Sequence, residues 1–230
     1  MTDGCGRTID YLRLSVTDLC NYRCQYCMPA EGIVKRDHRD MLSIEELAEI
    51  GQAAVRCGVK KIRLTGGEPL VRRGLLELCR LLRAIPELKE LCLTTNGALL
   101  SQLAQPLQEA GVDRLNISLD TLRPDRFAAM TRLGRLEDVK AGIAAAEAAG
   151  FSHLKLDTVL IGGFNDDEIG DFLELTREHP WEVRFIELMP MGPCAAWEKN
   201  CFLSAESVLE RHPALQQIDS QGVARRYRLP

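Results

Sequence analysis

Tyr11-Leu12-Arg13-Leu14-Ser15-Val16-Thr17 alternates strictly. In an extended chain Leu12, Leu14 and Val16 fall on one side, and Arg13, Ser15 and Thr17 on the other. The same two-sided pattern returns downstream: Ile62 and Leu64 oppose Arg63 and Thr65, and Leu115, Ile117 and Leu119 oppose Asn116, Ser118 and Asp120. Leu154, Leu156 and Leu160 likewise oppose Lys155 and Asp157. Strand-like runs at 10–17, 61–65, 91–95, 114–119, 154–161 and 182–188 alternate with helical stretches at about 43–57, 75–84, 100–110, 124–131, 136–149 and 166–178. Ser43 with Glu46 makes a capping-box pattern, and Gly58, Gly111 and Gly150 stand where helix C-caps belong. Repeated strand–helix units require right-handed crossovers and a parallel sheet. The expected fold is α/β: a partial, open TIM-type (β/α)6 barrel with a short C-terminal extension. A closed eight-stranded barrel fills its interior with bulky branched residues. Here one face of strand after strand is polar, which reads as a wet, charged groove with helices covering the apolar face. The alternative is a sheet with one solvated face, which is common in antiparallel proteins and rare in parallel ones.

A chain of 230 residues, 46% of them hydrophobic, supports one sizeable core. We expect the barrel over residues 1–200 and the start of a C-terminal region over 201–230, with a short helix and a final strand at 223–229. The formal net charge of −4 gives no general attraction to nucleic acid or anionic membrane, and neither is an expected partner. Anionic ligands must be met by locally placed arginines and lysines. No signal-like apolar stretch opens the sequence, and its nine cysteines are an odd number, so a reducing, cytoplasmic location is expected.

Cys20-Asn21-Tyr22-Arg23-Cys24-Gln25-Tyr26-Cys27 follows the first strand. Three thiolates at this spacing can hold three irons of a [4Fe–4S] cluster and leave the fourth without a protein ligand. Electron carriers use four cysteines per cluster, and an open metal position is where chemistry occurs. Eight extended residues span roughly 25 Å, so the segment must curl around its metal. The alternatives are a zinc site, which lacks its second cysteine pair, and inert thiols. The second strand ends in Thr65-Gly66-Gly67-Glu68-Pro69, at the strand end where parallel α/β folds bind ligands. Two glycines there would let backbone approach a ligand, and Glu68 would accept a cationic amino group; a plain turn is the alternative. Cys57, Cys79 and Cys92 read as small buried residues in helices and a strand, and Cys5, Cys194 and Cys201 as exposed loop thiols.

Together these motifs resemble the radical S-adenosylmethionine superfamily. Residues 10–17, 63–70, 93–97, 115–120, 163–168 and 183–190 narrow the resemblance to the GTP 3′,8-cyclases of molybdenum-cofactor biosynthesis. That resemblance implies a lyase. A [4Fe–4S] cluster on Cys20, Cys24 and Cys27 cleaves S-adenosyl-L-methionine to a 5′-deoxyadenosyl radical, which converts GTP to (8S)-3′,8-cyclo-7,8-dihydroguanosine triphosphate. Tyr26, Gly67, Ser118 and Met189 match S-adenosylmethionine-binding positions; Arg13, Arg63, Thr94 and Lys155 match GTP-binding positions. The implied partners are GTP, an electron donor such as a flavodoxin or ferredoxin, and a second copy of the chain in a homodimer. Relatives carry a second cluster on three further cysteines after the segment matched by residues 227–230, where this sequence stops. The reading is therefore a fragment that cleaves S-adenosylmethionine without efficient cyclisation. The alternative is a non-catalytic or otherwise-specific cluster- and S-adenosylmethionine-binding homologue.

Overall fold

The computed structural model describes residues 2–33, 40–221 and 224–230. The chain runs β1 (Tyr11–Ser15), α1 (Ile44–Arg56), β2 (Lys61–Thr65), α2 (Leu75–Arg83), β3 (Glu90–Thr95), α3 (Leu100–Glu109) and β4 (Arg114–Ser118). Then come α4 (Pro124–Thr131), α5 (Leu136–Ala148), β5 (Lys155–Leu160), α6 (Ile169–Glu178) and β6 (Glu182–Glu187). All six strands are parallel and neighbours in sequence are neighbours in the sheet. Among the described residues β1 and β6 pair with each other nowhere, so the wall stays open, as the alternation predicts.

The register keeps the two faces apart. Leu14, Leu64, Leu93 and Leu115 lie in one row across β1 to β4 and are each at most 8% exposed. Helices cover this face: Leu47 and Val55 from α1, Leu78 and Leu82 from α2, Leu100 and Leu107 from α3, and Val139 and Ala146 from α5 are all buried. Burying each such leucine or valine contributes about 1.5–3 kcal/mol. The capping box forms as read: Ser43 N–H donates to Glu46 Oε2 at 2.7 Å, and Glu46 N–H donates to Ser43 Oγ at 3.2 Å. Because every strand runs the same way, the loops that follow them share one rim of the barrel.

Two expectations are corrected. Cys57 is not a buried helical residue; it is the exposed C-cap of α1. The expected helix over 166–178 starts later, at Ile169, because Asn165 is committed elsewhere: its amide donates to Asp120 O and Val159 O, and its Oδ1 accepts from Ile161 N–H. Beyond the barrel, α7 (Glu206–Arg211) leads into an antiparallel hairpin, β7 (Gln216–Gln221) and β8 (Ala224–Arg228). Only one strand was expected there. In Gln216-Gln217-Ile218-Asp219-Ser220-Gln221 a single apolar residue leaves no period of two to read; Val223 of the expected strand lies outside the described residues. Val208, Leu203, Leu215 and Leu229 pack on Leu160, Ile169 and Leu173, which fastens this segment to the barrel. No helix among the described residues is long and apolar enough to cross a membrane.

Candidate functional site

The cysteine loop begins where β1 and β2 part. Val16 N–H still donates to Thr65 O, after which Gly67 N–H donates to Thr17 O and Glu68 N–H to Leu19 O, both at 2.8 Å. A Cβ on Gly66 would stand 2.3 Å from Thr17 O, and one on Gly67 would stand 2.3 Å from Leu19 O. Those atoms are backbone and cannot yield cheaply. The glycine pair is thus also required by the lead-in to the cysteine loop. The reading of Glu68 is corrected. It is 1% exposed and accepts from Leu70 N–H, Thr95 Oγ1 and Asn96 N–H at 3.0, 2.7 and 2.7 Å. Burial raises its carboxyl above the usual range, and its oxygens are spent tying the end of β2 to the end of β3.

Within the loop, Cys27 N–H and Met28 N–H both donate to Cys24 O, which curls the chain between the last two cysteines. Arg23 Nη1 donates back to Cys20 O and Tyr22 O at 2.7 and 2.8 Å. Tyr22 N–H donates to Cys20 Sγ at 3.3 Å, the kind of bond that favours a thiolate. Cys20, Cys24 and Cys27 are free thiols. Burial raises all three, and Cys24 is raised further by Asp120, Cys27 and Cys20, so the three sulfurs lie within electrostatic reach of one another. Among the described residues no three Cys, His, Asp or Glu side chains gather as a single-ion site demands. A cluster binding one thiolate per iron makes no such demand, and this donor set fits it.

The other S-adenosylmethionine candidates lie on the same rim. Tyr26 sits in the loop, Gly67 follows β2, Ser118 ends β4, and Met189 lies in the exposed loop after β6. Tyr26 O–H donates to Asp120 Oδ2 at 2.9 Å, and Asp120 Oδ1 accepts from Val159 N–H at 2.9 Å. A cavity opens beside the cysteines, lined by Cys24, Tyr26, Asn96, Ser118, Asp120 and Met130 among others. Burial pushes the Asp120 carboxyl up to about 6 from its ordinary 3.8. A raised folded-state value means the native state binds the extra proton, so stability is lost as pH climbs from about 4 through about 6. Asp120→Asn in the metal-free protein is therefore expected to look better at pH 7.5 than at pH 4 by up to about 3 kcal/mol, as urea unfolding at the two pH values would measure.

The four GTP candidates lie on the concave face, but in unequal states. Arg13 is exposed and has no side-chain partner among the described residues. Arg63 is 6% exposed and meets only neutral acceptors: Tyr11 Oη at 2.9 Å, Leu93 O at 3.4 Å, Thr94 Oγ1 at 3.2 Å and Asn116 Oδ1 at 2.8 Å. Thr94 is thereby joined directly to Arg63. Lys155 is paired with Glu182 at 2.7 Å, and burial pulls its ammonium below the usual lysine range. Other acids of the concave face and its rim are engaged elsewhere: Asp120 accepts from Tyr26, Asp157 accepts from Asn116 at 2.8 Å, and Glu187 accepts from Ala205 N–H. Cys194 is corrected as well: it is 1% exposed and its thiol donates to Met189 O and Met191 O. Asn116 and Asp120 were visible as polar-face residues, whereas nothing in the sequence marks the contacts of Asn96 or Arg132.

Residues 14–176 match the model of the radical SAM superfamily. The GTP 3′,8-cyclase of Peptoclostridium acidaminophilum is 53% identical over all of this chain and 72% of its own length. This chain belongs to the GTP 3′,8-cyclase family of radical SAM proteins. The enzyme of that name from Pseudomonas entomophila is 50% identical over all of this chain and 70% of its own. In structure, methylornithine synthase superposes with a TM-score of 0.66 at 17% identity, covering 88% of this chain and 61% of that one, a likeness of fold. As a radical SAM protein the chain uses a [4Fe–4S] cluster and S-adenosylmethionine, and the three-thiol loop beside the cavity suits both.

Proposed function

We infer that this chain is a GTP 3′,8-cyclase, a radical S-adenosylmethionine lyase acting in molybdenum-cofactor biosynthesis, and that its concave face holds GTP below the cysteine rim. The observation that supports this most is one wall carrying both halves of the job. A three-thiol loop lies on the rim, and a buried arginine without an ion pair lies beneath it. Bound at the rim, a cluster and S-adenosylmethionine would supply the radical chemistry that the protein's own side chains lack.

The protein's part is orientation. Cys20, Cys24 and Cys27 hold the cluster; Tyr26, Gly67, Ser118 and Met189 hold S-adenosylmethionine. Arg63, with Thr94 at its side, offers a planar fork suited to phosphate oxygens. Arg13 adds an unpaired positive charge at the edge of the groove. Lys155 joins them by exchanging Glu182 for substrate, Arg184 remaining on Glu182 at 2.7 Å. We assign residues 1–200 to the barrel and 201–230 to the start of a C-terminal region. A flavodoxin- or ferredoxin-type donor suits a cluster loop whose Cys27 is exposed. A homodimer, a cytoplasmic setting, and the absence of nucleic acid and membrane partners complete the reading.

Protein purified anaerobically is expected to bind GTP and, under dithionite, to cleave S-adenosylmethionine to 5′-deoxyadenosine, forming the cyclised nucleotide only inefficiently. Full iron loading with no 5′-deoxyadenosine would overturn the enzyme reading. 5′-Deoxyadenosine formed by protein that binds no GTP would overturn the substrate.

A further inference from the structure

We propose that Arg132 is a latch on the cysteine loop, a positioning residue that governs how long the cluster stays bound. The inference rests on the cluster reading of Cys20, Cys24 and Cys27.

The end of α4 and the loop are stitched together residue by residue. Gln25 donates through its side chain to Ala129 O at 2.9 Å and through its backbone to Met130 O at 3.0 Å, and Arg23 N–H donates to Thr131 O at 2.9 Å. The direction of donation then reverses. Nη1 of Arg132 donates to Arg23 O at 2.5 Å and to Met28 O at 3.2 Å. One nitrogen therefore bridges the carbonyl just before Cys24 and the carbonyl just after Cys27. Two of the three cluster ligands lie inside that span, and the loop cannot spread without breaking one of the two bonds.

The backbone of Arg132 makes the same point independently. It caps α4 at φ 63° and ψ −34°, and it is the one non-glycine residue with positive φ among the described residues. Glycine takes such a conformation with little strain, while a side chain there is costly. A strained residue persists where its surroundings compensate for it, and such residues concentrate at functional sites. For backbone alone, glycine would serve better at this cap. What arginine adds is the guanidinium on the loop. Arg132 is itself exposed.

The test compares Arg132→Gly and Arg132→Lys with wild type, each full length, anaerobically reconstituted and challenged with a ferrous chelator. Arg132→Gly is expected to release iron at least about fivefold faster while its metal-free form melts at or above the wild-type temperature, because strain is relieved. Arg132→Lys, which keeps the charge but loses the planar fork, is expected to fall between the two. Iron release from Arg132→Gly within twofold of wild type would overturn the latch alone. Faster release together with a lower metal-free melting temperature would mark an ordinary folding residue and overturn it too. Wild-type protein that takes up no iron would remove the cluster reading and the latch with it.

Discussion

Cys24→Ser is expected to drop the iron content from about four per chain to less than one and to reduce 5′-deoxyadenosine formation to background. The reasoning begins with acidity. Burial, reinforced by Asp120 and the two neighbouring cysteines, pushes the Cys24 thiol well above its ordinary range. In the metal-free protein it therefore stays protonated at neutral pH, and iron must displace that proton. A thiol can yield it to a metal; a serine hydroxyl, far less acidic and a harder donor, cannot match it for iron–sulfur chemistry. The fold should survive the change. Cys24 O still accepts from Cys27 and Met28, and Gln25 N–H remains on Met130 O, since backbone carries these bonds. Far-UV circular dichroism and the melting temperature of the metal-free variant should thus match wild type while the visible charge-transfer bands vanish. A Cys24→Ser protein that keeps four irons and full cleavage activity would show that the loop's thiols are not the ligand set. Raising the pH during reconstitution should speed cluster assembly in wild type, because each raised thiol gives up its proton more readily.

Why so much of the barrel was readable becomes clear from its strands. A strand half covered by helices and half facing a wet groove must alternate, so Leu12, Leu14 and Val16 against Arg13, Ser15 and Thr17 announced both the strand and its two faces. The hairpin strand at Gln216–Gln221 has a single apolar residue, Ile218, so it shows no such pattern and was missed. The site was legible where chemistry restricts residue type, as it does for three cysteines in eight residues. It was less legible where a residue's role depends on what the chain brings beside it. Gly66 and Gly67 were read for their room beside a ligand, and the sequence did not show that they also pack on Thr17 and Leu19 backbone. Glu68 was given a ligand amine, whereas Thr95 and Asn96 already occupy it. Lys155 was read as a GTP-binding position, and its pairing with Glu182, one strand across at the same register, was not foreseen. Arg132 shows no signal at all, because an arginine at a positive φ cannot be distinguished in sequence from one on any exposed helix end.

Among the three concave-face cations, Arg63 offers the sharpest experiment. Arg63→Met is expected to weaken GTP binding about tenfold to a hundredfold, the range set by losing a charge-assisted bond of about 1.5–3 kcal/mol. Its guanidinium is buried, yet every acceptor it meets is neutral. A buried cation without a counter-charge retains a desolvation cost that an incoming phosphate offsets on binding. Lys155 cannot contribute equally, since it must first leave Glu182. In the free protein two consequences of Arg63→Met oppose each other. Removing the charge relieves desolvation, while Asn116 Oδ1 and Tyr11 Oη lose a donor. The ligand-free melting temperature should accordingly move by less than about 4 °C. Arg63→Lys keeps the charge without the fork and should recover part of the affinity. S-adenosylmethionine, for which we propose a rim site made by other residues, should bind the methionine variant as it binds wild type. Titration calorimetry with each ligand separates these outcomes. GTP affinity within twofold of wild type in Arg63→Met would show that the groove beneath the cysteines is not where the triphosphate lies. Equal loss of both ligands would instead mean that Arg63 supports the whole rim through Thr94 and Asn116, by structure and not by charge.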